Sequence, residues 1–124
     1  MIRMILMVGT GGFLGTVSRF LTTRFFTTYF PSSFPFGTFV VNVLGCFIIG
    51  LIYGISEKGN FISSEWRMFL TVGFCGGFTT FSTFSLETIN LFIDSQFLMG
   101  TLNIAANLLF CLAGVLAAFY ISKI

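Results

Sequence analysis

The chain has 124 residues, of which 56% are hydrophobic and only 8% charged, and it contains no histidine. A soluble domain carries about 25% charged residues, so this chain has too few to wet a surface. The net charge of +2 comes without a basic cluster, which argues against nucleic-acid binding, and the length suits one domain.

Charges divide the chain into apolar runs. Met4 to Ser18 carries none, and Arg19 and Arg24 follow. Arg3 ahead of an apolar stretch imitates a signal peptide, but no small-residue cleavage site follows, so the run is read as a first helix. Pro31 and Pro35 mark a loop, because proline disfavours helix in the residue before it and suits a first helical turn. A second run extends from about Phe36 to Ile55. Glu57, Lys58, Glu65 and Arg67 mark a polar loop, and Trp66 suits an interfacial anchor where the next helix enters the membrane. Met68 to Leu86 is again uncharged, Glu87 and Asp94 follow, and Ser95 to Ser122 is the last uncharged run.

Each run supplies about 20 residues, enough to cross about 30 Å of hydrocarbon as a helix. The runs lack the alternation of barrel strands. The expectation is an all-α integral membrane protein, one transmembrane domain over residues 1–124. Its four helices are expected at about 4–23, 36–55, 67–92 and 97–121, the third broken near 76–80. Arg3, Lys58, Arg67 and Lys123 fall on one side of the membrane and Arg19 and Arg24 on the other, a slight preference for cytoplasmic termini.

Glycines recur at four-residue spacing, Gly11 with Gly15, Gly50 with Gly54 and Gly73 with Gly77, which lets helices approach closely. Cys46, Cys75 and Cys111 form no C-x-x-C and have no histidine to complete a zinc site, so they read as small buried hydrophobes.

The segment from Gly73 to Ser85 carries the unusual chemistry. Gly76-Gly77 is poor helix-forming material, and Thr79, Thr80, Ser82, Thr83 and Ser85 crowd into seven positions. A broken helix at membrane depth is tolerated only where protein or water satisfies the freed backbone groups. Carbonyls freed there are hard oxygen ligands for a small cation; the bland alternative is a kink whose hydroxyls bond back to the preceding turn. Phe81 and Phe84 share a helix face, and their electropositive edges suit an anion, although most of the 19 phenylalanines must face lipid or core. Asn42 interrupts the second apolar run, with Thr38 on the same face, and needs a partner in protein or a pore. Asn103, Asn107 and Cys111 form another single-face stripe, with interhelical hydrogen bonding as the alternative use of the asparagines. Arg19 at a boundary either snorkels to headgroups or concentrates anions in a vestibule; Glu87 is read as snorkelling.

These residues resemble a known family. Gly73-Phe74-Cys75-Gly76-Gly77, followed by Thr79-Thr80-Phe81-Ser82-Thr83-Phe84-Ser85, is very similar to the third-helix signature of the Fluc fluoride channels. Gly37-Thr38, Asn42 and Gly45 resemble its second-helix pattern, and Gly11-Gly12, Gly15 and Arg19 its first, so the resemblance covers essentially the whole chain. It implies a passive fluoride-selective channel in the inner (plasma) membrane that exports fluoride from the cytoplasm, and no enzyme. It implies an antiparallel, dual-topology homodimer with two pores and a central structural sodium ion held by backbone carbonyls of Gly76 and Thr79. Phe81 and Phe84 would turn ring edges to the pores, with Asn42, Thr83, Thr38 and Asn107 as polar lining and Arg19 in the vestibule. A polar track on the fourth helix falls on Asn103, Asn107 and Cys111, where Cys111 replaces the serine the family leads one to expect, and a thiol is the weaker donor. Some members pair as heterodimers with a paralogue, which one sequence leaves open.

The physics of the residues agrees with that resemblance. Four helices are too few to enclose a pore, so a dimer is expected, and small, strongly hydrated fluoride needs donors to replace its water. A proton-coupled drug exporter would need an acidic residue inside the first helix, which is absent, and a non-transporting assembly subunit would need neither Asn42 nor the polar break.

Overall fold

The computed structural model describes all residues, 1–124, and is entirely helical. The helices are α1 (Ile2–Tyr29), α2 (Phe36–Glu57), α3 (Ser64–Met68), α4 (Gly76–Phe78), α5 (Phe81–Ile93) and α6 (Phe97–Lys123). A π-helical stretch, Phe69–Cys75, joins α3 to α4. Four helical segments are long and apolar enough to cross a membrane: Ile2–Tyr29, Phe36–Glu57, Ser64–Ile93 and Phe97–Lys123.

The first span is longer than its charges suggest, ending at Tyr29 rather than near residue 23. Thr22, Thr23 and Thr27 stay helical by donating their hydroxyls to carbonyls one turn back, at 2.8, 3.0 and 2.9 Å. The helix stops only at Phe30, the residue that Pro31 biases away from helix. At the opposite face of the membrane, Arg3 pairs with Glu65 at 3.2 Å and Lys123 with Glu57 at 2.8 Å. Both pairs are exposed and contribute little stability, but they place the N-terminus, the second loop and the C-terminus at one end.

The glycine pairs are the contact surfaces. α1 packs along the π-helical stretch and α4. A methyl group on Gly11 would stand 2.5 Å from the Phe69 carbonyl oxygen, and one on Gly77 the same distance from the Gly12 carbonyl oxygen. Real side chains do not fit such gaps, so glycine alone permits these backbones to meet. α2 packs most extensively against α6, with Gly50 against Val115 and Gly54 against Phe119 and Ser122. The π-helical winding was not foreseen. It lies where α1 presses closest on the third span, and its wider turn suits the backbone approach at Gly11 and Gly73.

Candidate functional site

The third span breaks at two residues. Thr79 (φ −88, ψ 157) and Thr80 (φ −151, ψ 118) are extended between α4 and α5. Thr79 ends the first half by donating its N–H and its hydroxyl to the Cys75 carbonyl, both at 2.9 Å. Thr80 begins the second half as an N-cap, its hydroxyl accepting from the Thr83 N–H at 3.2 Å and donating to the Thr83 hydroxyl at 3.0 Å.

Asn42 holds the break from α2. Its Oδ1 accepts from the Thr80 N–H at 2.8 Å, and its Nδ2 donates to the Thr80 carbonyl at 3.1 Å and to Asn107 Oδ1 at 3.2 Å. In an unbroken helix the Thr80 N–H would serve the Gly76 carbonyl and the Thr83 N–H the Thr79 carbonyl. Both donors are diverted, so the break takes the regular helical partners from Gly76 and Thr79. The network continues into α6 and α5. Asn107 Nδ2 donates to Asn103 Oδ1 and to the Asn103 carbonyl, each at 2.9 Å; Asn103 Nδ2 donates to Thr88 at 2.9 Å, and Thr88 to the Phe84 carbonyl at 2.7 Å. Asn103 is completely buried and so belongs to the network, not to an open surface.

Two cavities meet at Thr80. One, about 240 Å³, is a groove lined by Asn42, Cys46, Thr79, Thr80, Phe81, Phe84, Asn107 and Cys111, with Leu108 and Leu112. The Phe81 and Phe84 rings lie together at 5.4 Å with 50° between their planes, Phe84 buried and Phe81 74% exposed. The other, about 360 Å³, is lined by Thr16, Arg19, Phe20, Thr23, Thr38, Thr80, Thr83 and Glu87. Thr38 donates to Glu87 Oε1 at 2.8 Å, and the buried Glu87 Oε2 has no partner. Arg19 forms no ion pair within this cavity.

The residues expected to act together therefore divide between two compartments: Asn42, Phe81, Phe84, Asn107 and Cys111 in the groove, Arg19, Thr38 and Thr83 in the polar cavity. Gly76 sits apart on an exposed face. Two residues were not assigned to the site in the sequence reading. Thr80 joins the compartments, and Glu87 faces the polar cavity where snorkelling had been expected. The spacing Thr80, Thr83, Glu87 was the available signal, since steps of three and four residues share a helix face.

A membrane helix broken where polar groups from two neighbouring helices meet it, with cavities on both sides, is the architecture of a multi-pass membrane transport protein rather than of an anchor. The chain belongs to the CrcB-like protein family (Camphor Resistance, CrcB), whose pattern it matches over residues 6–119. It is similar to the "Fluoride-specific ion channel FluC" of Clostridium novyi (strain NT), 44% identical over 119 residues, 96% of this chain and 93% of the relative. It is likewise similar to proteins of that name from Thermococcus gammatolerans, 41% identical over 98% of this chain and 97% of the relative, and from Shewanella baltica (strain OS155), 45% identical over 87% and 86%.

Proposed function

We propose that this chain is a fluoride-selective ion channel of the plasma membrane, passively exporting fluoride, and not an enzyme. The observation that carries this reading is the break at Thr79–Thr80 between a hydroxyl-lined cavity and an aromatic groove, in a chain 41–45% identical to proteins named for that ion. α5 begins at the break, so the positive end of its dipole lies next to Thr80, the residue that lines both cavities, which favours an anion there. Arg19 raises the local anion concentration at the polar entrance. Beyond it the groove offers ring edges with no fixed cation, so an ion that enters is free to leave.

Phe81 projects 74% exposed from a single chain, and α5 also exposes Leu86, Ile89 and Ile93. A second copy covering this face in antiparallel orientation gives the groove its missing wall, and two such grooves make two pores per dimer. The residues fit a central sodium ion on the same grounds: Gly76 and Thr79 have carbonyls stripped of their regular helical donors, and Gly76 lies on an open face. Bound there, the ion supplies a fixed positive charge and a tie between copies.

The deciding experiment is fluoride efflux from proteoliposomes beside chloride. Efflux of fluoride alone supports the reading, and equal or absent efflux of both overturns it. Phe81→Ile and Phe84→Ile keep bulk and remove the ring edge; a lost contact of roughly 1.4 kcal/mol slows flux about tenfold with assembly intact. Wild-type flux in both variants would exclude ring contact with the ion. For topology, reporters fused to the C-terminus are expected to be found on both sides of the membrane. A single orientation in a working homodimer would exclude the antiparallel arrangement, and failure to work without a second chain would point to a paralogue.

A further inference from the structure

α2 and α6 run side by side with one constant offset. Asn42 bonds to Asn107, Gly50 lies against Val115 and Gly54 against Phe119, each pair 65 positions apart. The same register sets Cys46 opposite Cys111, one turn from the asparagine pair. Both are free thiols, both are partly exposed, and both line the groove that also holds Phe81 and Phe84.

We propose that Cys46 and Cys111 form a two-sulfur binding site for a thiophilic divalent metal ion, and that its occupancy closes the groove. This rests on the fluoride reading only for its effect on flux, not for the binding itself. Polarizable thiolates select soft cations. A linear site with two metal–sulfur bonds of about 2.3 Å needs sulfurs about 4.6 Å apart, a gap suited to short side chains on helices with axes about 8–10 Å apart. Binding releases one proton from each thiol, and the resulting two negative charges cancel the two positive charges of the ion. The neutral product suits an apolar groove, where a monovalent ion between two thiolates would leave a buried negative charge. Zinc fits poorly, since its structural sites take four ligands, the chain has no histidine, and the remaining thiol, Cys75, is buried outside the groove.

The test uses mercury(II) as the probe on the full chain, with Cys46→Ser, Cys111→Ser and Cys75→Ser. Bound mercury and the ultraviolet absorption of a two-thiolate complex are read in detergent, and fluoride efflux in proteoliposomes, each sample against its own metal-free state. The wild type is expected to bind one ion per chain with the two-sulfur signature and to lose flux about tenfold or more, with recovery on adding excess dithiol. Cys46→Ser and Cys111→Ser should each lose the signature and require about tenfold more mercury for the same block, while Cys75→Ser behaves as wild type toward the metal. An unchanged response in Cys46→Ser or Cys111→Ser, or loss of the signature in Cys75→Ser, overturns the assignment. A two-thiolate complex in a chain that carries no fluoride supports the metal site and counts against the fluoride reading instead.

Discussion

Replacing Asn42 with aspartate is expected to silence fluoride flux at neutral pH. The retained oxygen can still accept from the Thr80 N–H. The new oxygen takes the place of Nδ2 and meets two acceptors, the Thr80 carbonyl and Asn107 Oδ1, where the native side chain donated to both. Each buried acceptor left without a donor costs roughly 1–3 kcal/mol, and the ionised group puts a negative charge in the wall of the proposed anion groove. A barrier raised by about 2.7 kcal/mol slows flux about a hundredfold. The measurement pairs efflux with thermal stability in detergent. Loss of flux with stability retained indicates electrostatic exclusion and places Asn42 in the wall of the conduction path. Parallel loss of both assigns Asn42 chiefly to holding the break. Unchanged flux would remove Asn42 from the conduction path altogether.

That ambiguity shows where sequence reading reached its limit. The four spans were legible because charge and proline punctuate them, and the break because two adjacent glycines precede a crowd of hydroxyls. What each hydroxyl does was not legible. Thr79 and Ser85 bond back to carbonyls one turn earlier, as the bland reading held, whereas Thr80 caps α5 and bridges to Thr83. These residues are chemically alike, and only the backbone turn at Thr79–Thr80 separates their roles. Asn42 was recognisable as a polar group needing a partner, but the partner, a backbone amide 38 positions away, depends on how α2 packs beside the break. Glu87 was discounted because it stands near a boundary. The length of α5 and the pairing with Thr38 turn it inward.

Substituting Gly76 by valine is expected to leave the single chain nearly unchanged and to disable the assembled channel. Gly76 has ordinary right-handed helical dihedrals, φ −62 and ψ −37, so a side chain meets no backbone strain. A methyl group there would find only the Thr71 carbonyl oxygen within 4 Å, at 3.9 Å, an ordinary contact. Valine is also the better helix former by a few tenths of a kcal/mol. Nothing within the chain therefore requires glycine at this position, in contrast to Gly77, packed against Gly12 and Thr16. In the proposed dimer, two antiparallel third spans crossing here bring the Gly76 and Thr79 carbonyls of both chains together around sodium, and the absent side chain of Gly76 leaves room for that approach. A β-branched side chain on each copy holds the backbones apart. The expected result is retained helix content and secondary-structure melting, weakened dimers, and flux reduced about tenfold or more, since 1.4 kcal/mol is one decade. Wild-type channels should keep higher flux and dimer stability in sodium than after long exchange into a large organic cation, and Gly76→Val should lose that difference. Neutral carbonyls without a nearby carboxylate suit a monovalent ion, so calcium should not substitute. Equal flux and equal dimer stability in sodium and in the organic cation would remove the central ion while leaving the channel reading intact. A Gly76→Val chain that assembles and conducts like wild type would show that the two copies do not meet at this break.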